Sequence, residues 1–115
     1  MSENYKQVLK DILCKVAQID EEINDKILKK IEEIYFHLTG SYFTKKKIYT
    51  QILRSNNHKL IERYLKKNIE SLEITQKIDI LRAAEETIAF GGIGHIKATE
   101  FIEKLKLIVF DFKTK

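Results

Sequence analysis

Val16-Ala17-Gln18-Ile19-Asp20-Glu21-Glu22-Ile23-Asn24 closes one amphipathic pattern and opens the next. Upstream of it, Tyr5, Val8, Leu9, Ile12, Leu13, Val16 and Ile19 recur at the i, i+3, i+4 spacing that puts apolar side chains on one helix face. The three acids break that stripe. Asn24 then offers a side-chain oxygen to the unpaired N–H groups of a new helix, and Asp25 sets a negative charge in its first turn, where the helix dipole favours one. Ile27, Leu28, Ile31, Ile34, Tyr35 and Leu38 resume the helical spacing, and Gly40 is placed for a left-handed C-terminal cap. Two helices across so short a loop predict an antiparallel hairpin. A second stretch repeats the plan. Thr87-Ile88-Ala89-Phe90-Gly91-Gly92-Ile93-Gly94 ends a helical pattern on small and apolar residues, breaks at glycines, and precedes another apolar-periodic run.

Between these junctions the pattern stays helical. Thr44 is placed to cap a third helix running to about Leu53, with Ile48 and Ile52 inward, and Arg54-Ser55-Asn56-Asn57 makes a turn-like polar cluster. A short fourth helix follows from His58 to Lys67, with Leu60, Ile61, Tyr64 and Leu65 on one side and Asn68 at its end. Thr75 is the expected cap of a fifth, which carries Ile78, Leu81, Ala84, Ile88 and Ala89. A last helix begins near Lys97 and holds Phe101, Ile102, Leu105, Ile108, Val109 and Phe112. Leu107-Ile108-Val109-Phe110 is apolar on all sides, which fits either a helical turn buried on several faces or a short final strand.

A chain of 115 residues supports one core and one domain, spanning 1–115. It has no proline and four glycines, so helix breaks are few. With 43% hydrophobic and 33% charged residues, a folded domain is expected rather than disorder. No segment alternates with period two for long enough to argue a sheet. The expected fold is all-α: a single compact domain of five to six helices, with two pseudo-repeated helix–loop–helix units.

Composition also narrows function. Cys14 is the single cysteine, so no intrachain disulfide can form, as suits a reducing cytoplasm. It falls inside a helical pattern, where a small buried thiol is expected. The first residues lack the basic-then-apolar layout of a signal peptide, and no apolar run approaches the roughly 20 residues of a membrane span. The expectation is a soluble cytoplasmic protein. The net charge of +4 is unevenly spread. Residues 1–40 carry six lysines against eight acids, and residues 68–115 seven basic groups against eight acids. Residues 41–67 carry eight basic groups against Glu62 alone, and so hold the whole positive excess.

The two junctions together resemble the tellurite-resistance TerB-like family of small helical domains. In that family a helix ends on an alanine-rich turn, a loop begins Asp-Gly, an acid follows in the next helix, and the unit occurs twice. Val16 to Ile23 is similar to the first copy, with Asp20 on the motif's aspartate, and Ile34 to Gly40 to the helix end that follows. Leu72 through Ala89 resembles the second-half helix, with Gly91-Gly92 on the second Asp-Gly and Glu100 nearest its following acid. The resemblance spans about residues 6–110. The chain departs from the pattern where Glu21 replaces the first glycine, Ile27 stands near the first following acid, and Gly91 replaces the second aspartate. The resemblance implies a non-enzymatic accessory module in a stress response, acting through protein contacts, with a divalent cation held by acidic residues.

Two candidate sites follow from the residues. Asp20, Glu21, Glu22 and Asp25 supply carboxylates for a hard divalent cation such as calcium or magnesium, although the loop lacks the spaced ligands of an EF-hand. The same acids also suit a solvated junction that caps the following helix. The second is the basic cluster of Lys45, Lys46, Lys47, Lys59, Arg63, Lys66 and Lys67, with Tyr42, Phe43 and Tyr49 among them. Such a patch suits salt-dependent phosphate binding or an acidic protein partner, and equally a plain solvated face. Lysine outnumbers arginine there, which argues against bidentate base reading. No enzymatic constellation emerges. His37, His58 and His95 are scattered, with His37 expected to pack or cap at a helix end. The Gly91-Gly92-Ile93-Gly94 loop lacks the lysine and hydroxyl of a phosphate loop. Glu85, Glu86, Glu100 and Glu103 form only a charge pattern. A protein partner, nucleic acid or a second copy of the chain remain open as binding partners.

Overall fold

The computed structural model describes residues 3–19, 23–54, 66–92 and 96–110. Five helices organise them: α1 (Glu3–Ala17), α2 (Asp25–Thr39), α3 (Lys45–Arg54), α4 (Ile74–Gly91) and α5 (Ile96–Val109). Residues 66–70 are also helical, and the described residues contain no strand. The readings for 55–65 lie outside the described residues.

The first junction folds as its residues dictate. Tyr5, Val8, Leu9, Ile12, Leu13 and Val16 are all buried on α1, joined by Cys14 and Ala17. On α2 the buried set is Ile27, Leu28, Ile31, Ile34 and Tyr35. Asn24 sits in extended backbone, and its Oδ1 accepts from Lys26 N at 2.8 Å. Gly40 closes α2 with φ of 71°, its N–H donating to Phe36 O at 2.8 Å. Thr39 Oγ1 donates back to Tyr35 O at 2.7 Å and accepts from Ser41 N at 3.1 Å, so the end of α2 is well tied.

α4 is the central helix and packs against α1, α2 and α5. Its inner face carries Ile80, Leu81, Ala83, Ala84 and Thr87. The small side chains let three neighbours come close. Thr87 is fully buried, and its hydroxyl donates to Ala83 O at 2.8 Å, which satisfies it within the helix. α3 packs on α1 and α2, with Ile48 and Ile52 inward. Gln51 Nε2 donates to Asp11 Oδ1 at 2.8 Å, and Gln18 Nε2 to Ile52 O at 3.3 Å, linking α3 to α1 and to the residue just past its end.

Four local expectations change. α4 starts after Glu73, not after Thr75: the backbone turns at Leu72, which is buried, and Gln76 Oε1 accepts from Glu73 N at 3.2 Å. Asn68 does not end the preceding helical stretch, which continues to residue 70 and buries Ile69. Leu107 to Val109 is the end of α5, not a strand, and Leu107 is 71% exposed. Among the described helices α5 packs chiefly on α4, burying Ala98, Leu105 and Val109. His37 does stand in the last turn of α2, at the helix end, but it is exposed and not buried. No described helix is long and apolar enough to cross a membrane.

Candidate functional site

The turn between α2 and α3 sorts its aromatic residues by position. Phe43 is buried, 3% exposed, with its ring 5.3 Å from that of Tyr35. Lys10 covers both rings, its Nζ lying 5.4 Å from the Phe43 centroid and 5.7 Å from that of Tyr35, as a cation–π contact. With Phe43 turned in, the preceding Tyr42 is turned out and is 77% exposed. Its ring stacks on Phe36, with centroids 5.0 Å apart and planes 24° from parallel. Ser41, just before it, accepts a 3.1 Å hydrogen bond from Lys6 Nζ. An outward aromatic ring therefore stands on a short turn anchored from both sides.

α3 begins with Lys45, Lys46 and Lys47 and has no acid in its first turn. That is the end where the helix dipole disfavours cations. Two acids from α2 offset part of the cost. Glu32 Oε2 accepts from the backbone N–H of Lys45 at 2.7 Å, and Asp25 Oδ2 lies 3.1 Å from Lys45 Nζ. Thr44 caps as expected, its Oγ1 accepting from Lys47 N at 3.3 Å. Lys46 and Lys47 stay exposed. Along the outer face of α3, Lys46, Tyr49 and Leu53 fall at i, i+3 and i+7, flanked by Lys47 and Arg54. Tyr49 is 46% exposed and Leu53 59%.

The predicted basic cluster is thus divided. Lys46 and Lys47 form its open part, while Lys45 is tied to α2. Lys66 and Lys67 are exposed on a segment held to the first turn of α1, where Asn4 Nδ2 donates to Ser71 Oγ at 3.0 Å. Lys59 and Arg63 lie outside the described residues. Of the aromatic residues in the cluster, Tyr42 and Tyr49 face out and Phe43 does not. Phe36 and Leu53 complete the surface, and sequence reasoning passed over both. Phe36 had a signal: it stands between the stripe residue Tyr35 and His37, off the apolar face of α2.

Of the candidate cation ligands, Asp20, Glu21 and Glu22 lie outside the described residues. Asp25 is exposed, and its carboxylate faces Lys45. Among the described residues no three His, Cys, Asp or Glu side chains converge as a metal ion would require.

Two other features bear on chemistry. Burial, chiefly, pushes the Cys14 thiol up from 9.0 to about 12, with the nearby Asp11 adding to it, which leaves a poor nucleophile. A groove of about 510 Å³ runs between α2 and α4, where Lys30, Glu33, His37, Asp79, Arg82 and Glu86 rim an apolar floor. Its charges are of both signs. Lys30 Nζ lies 3.7 Å from Glu86 Oε2 and 5.0 Å from the Phe90 ring centroid. These are surface contacts of mixed sign, with Lys30 and Arg82 set against Glu33, Asp79 and Glu86.

In comparisons with protein-family models, curated proteins and solved structures, the chain has no significant match.

Proposed function

We propose that this chain is a non-enzymatic helical binding module that docks an anionic partner on the outer face of α3 and the turn before it. The observation that carries this is the placement of Lys46 and Lys47. Cations in the first turn of a helix oppose its dipole, so folding stability offers no reason for them. Asp25 pairs with the Lys45 ammonium and Glu32 caps the Lys45 backbone N–H, and among the described residues no carboxylate pairs with Lys46 or Lys47. Lys46 and Lys47 share this stretch of chain with exposed Tyr42, Tyr49 and Leu53, a mixture of aromatic and apolar area with charge that suits an interface.

The test is fluorescence anisotropy of labelled anionic probes (an oligoglutamate peptide, a single-stranded oligonucleotide and a duplex) at low and high salt. Binding of at least one probe that weakens with salt and is abolished in Lys46→Glu/Lys47→Glu supports the proposal. Equal behaviour of wild type and the reversed variant, with both melting alike, would overturn it.

The TerB-like accessory role in a stress response extends the same proposal and rests on the two helix junctions. Its divalent cation at Asp20 is tested by thermal melts with calcium, magnesium and EDTA. A rise in Tm with metal that vanishes in Asp20→Ala supports the ion, and identical melts throughout remove it.

A further inference from the structure

We infer that the anionic partner is a single-stranded nucleic acid, with the Tyr42 ring as the platform for an unpaired base and Lys46 and Lys47 on the flanking phosphates. The inference rests on the proposed anion-docking face and narrows it. A generic polyanion needs only the lysines. It gives no role to an aromatic ring held in water.

The structure holds that ring in place by several independent contacts. Phe36 covers one face of Tyr42 at 5.0 Å, while the 77% exposure of Tyr42 leaves its other face open. Its neighbours on both sides are fixed: Ser41 by Lys6, and Phe43 by burial against Tyr35. Stacking therefore requires little ordering of the protein, and preorganisation of that kind favours binding. Basic residues approach this turn from α1 and follow it at the start of α3. Lys6 reaches Ser41, and Lys46 and Lys47 follow within five residues of Tyr42 in the chain. Asp25 pairs with Lys45 Nζ and Glu32 accepts from Lys45 N, while Glu33, the other acid within a turn of Phe36, rims the groove between α2 and α4.

The chemistry of this surface selects a single strand over a duplex. In a duplex the base faces are stacked on one another and closed to a side-chain ring, whereas an unpaired base offers its π-face to any aromatic, whatever its sequence. Lysines supply point charges and no bidentate fork, so they read phosphate and not base identity. A short strand laid along the turn and the first half of α3 would meet Tyr42, then Lys46 and Lys47, then Tyr49. The expected binding is sequence-tolerant and salt-dependent.

The test is titration of fluorescein-labelled oligothymidylate and oligouridylate, a matched duplex, and an oligoglutamate peptide, across a salt series. For the single strands, Tyr42→Ala is expected to weaken binding roughly tenfold without changing the salt slope, because it removes stacking and no charge. Tyr42→Trp is expected to retain or tighten binding. Lys46→Ala/Lys47→Ala is expected to flatten the logarithmic salt slope by roughly 1.4, about 0.7 for each phosphate that a lysine no longer neutralises. Duplex and peptide are expected to bind more weakly and to ignore Tyr42→Ala. Single-strand binding that is indifferent to Tyr42→Ala, or a duplex or peptide bound as tightly as the strand, overturns this inference and leaves the anion-docking face standing. No lysine-dependent binding of any probe overturns both. Tyr42 is exposed, so a melt matching wild type confirms that each variant is folded.

Discussion

Lys45 Nζ lies 3.1 Å from Asp25 Oδ2, so a residue from the acidic junction and one from the basic cluster neutralise each other across the α2–α3 corner. The pairing takes one carboxylate out of the proposed cation set and one ammonium out of the proposed anion surface. It also sets negative charge near the start of a helix that begins with three lysines. Both side chains remain substantially exposed, so the pair contributes about 1 kcal/mol or less and weakens with salt.

Removing the acid should therefore strengthen the proposed anion binding while costing little stability. Asp25→Asn frees Lys45 for an anionic ligand. We expect tighter binding of single-stranded oligonucleotide, with the salt slope steeper by about 0.7, the increment for one more neutralised phosphate. Anisotropy titrations in a salt series check this, and weaker binding in Asp25→Asn would contradict it.

Glu32 caps α3 from another helix, thirteen residues away in the chain. The bond from Lys45 N to Glu32 Oε2 is 2.7 Å and charge-assisted, and the negative charge also faces the positive end of the α3 dipole. Glu32→Ala should cost about 1–2 kcal/mol in urea unfolding, the range for removal of a helix cap. Glu32→Gln keeps an acceptor and should recover part of that stability.

Gly40 and Gly92 end α2 and α4 with φ of 71° and 67°. A Cβ at either position would meet nothing within 4 Å, so the penalty for alanine is conformational and not a clash with neighbours. Gly40→Ala and Gly92→Ala should each destabilise by about 1–2 kcal/mol. Asn tolerates the left-handed region better, so Gly40→Asn should melt above Gly40→Ala.

Alkaline pH should unfold the domain through two buried groups. Burial, first of all, raises Tyr5 from 10.0 to about 12, with Asp79 and Tyr35 adding to it, and Cys14 rises from 9.0 to about 12. Both groups hold their protons longer in the folded chain than in the unfolded one. Their contribution is complete below pH 9 and is lost as pH rises towards 12, where unfolding releases the protons. For Cys14 the slope is about 1.4 kcal/mol per pH unit within that window. Tm measured from pH 8 upward should fall, and fall less steeply in Cys14→Ala and Tyr5→Phe. The same burial predicts that Ellman's reagent labels Cys14 only after denaturant is added.

Much of the helical plan could be read from the chain. The α1 and α2 stripes, the Asn24 and Thr44 caps and the left-handed Gly40 were all legible, because periodicity and capping are decided by residues within one helical turn of each other. The candidate surface was half legible. Lys46, Lys47, Tyr42 and Tyr49 could be picked out by type. Phe36 could have been found from its place off the α2 stripe, whereas Leu53 was hidden because an apolar residue reads as core until its neighbours are known. Leu107 shows the same limit: surrounded by apolar residues in the chain, it is exposed because, among the described helices, α5 packs chiefly on α4.

What the sequence by itself determined, then, was an all-α chain, its helix starts and stops at the first junction, and a positive excess confined to 41–67. The tertiary structure decided which charges and rings are available. Phe43 packs on Tyr35 and so turns Tyr42 outward, while Asp25 and Glu32 reach from α2 to compensate Lys45 but leave Lys46 and Lys47 open. The physical reason is range. Propensity, capping and periodicity act over a few residues, whereas exposure and charge pairing depend on which helix comes to lie beside which.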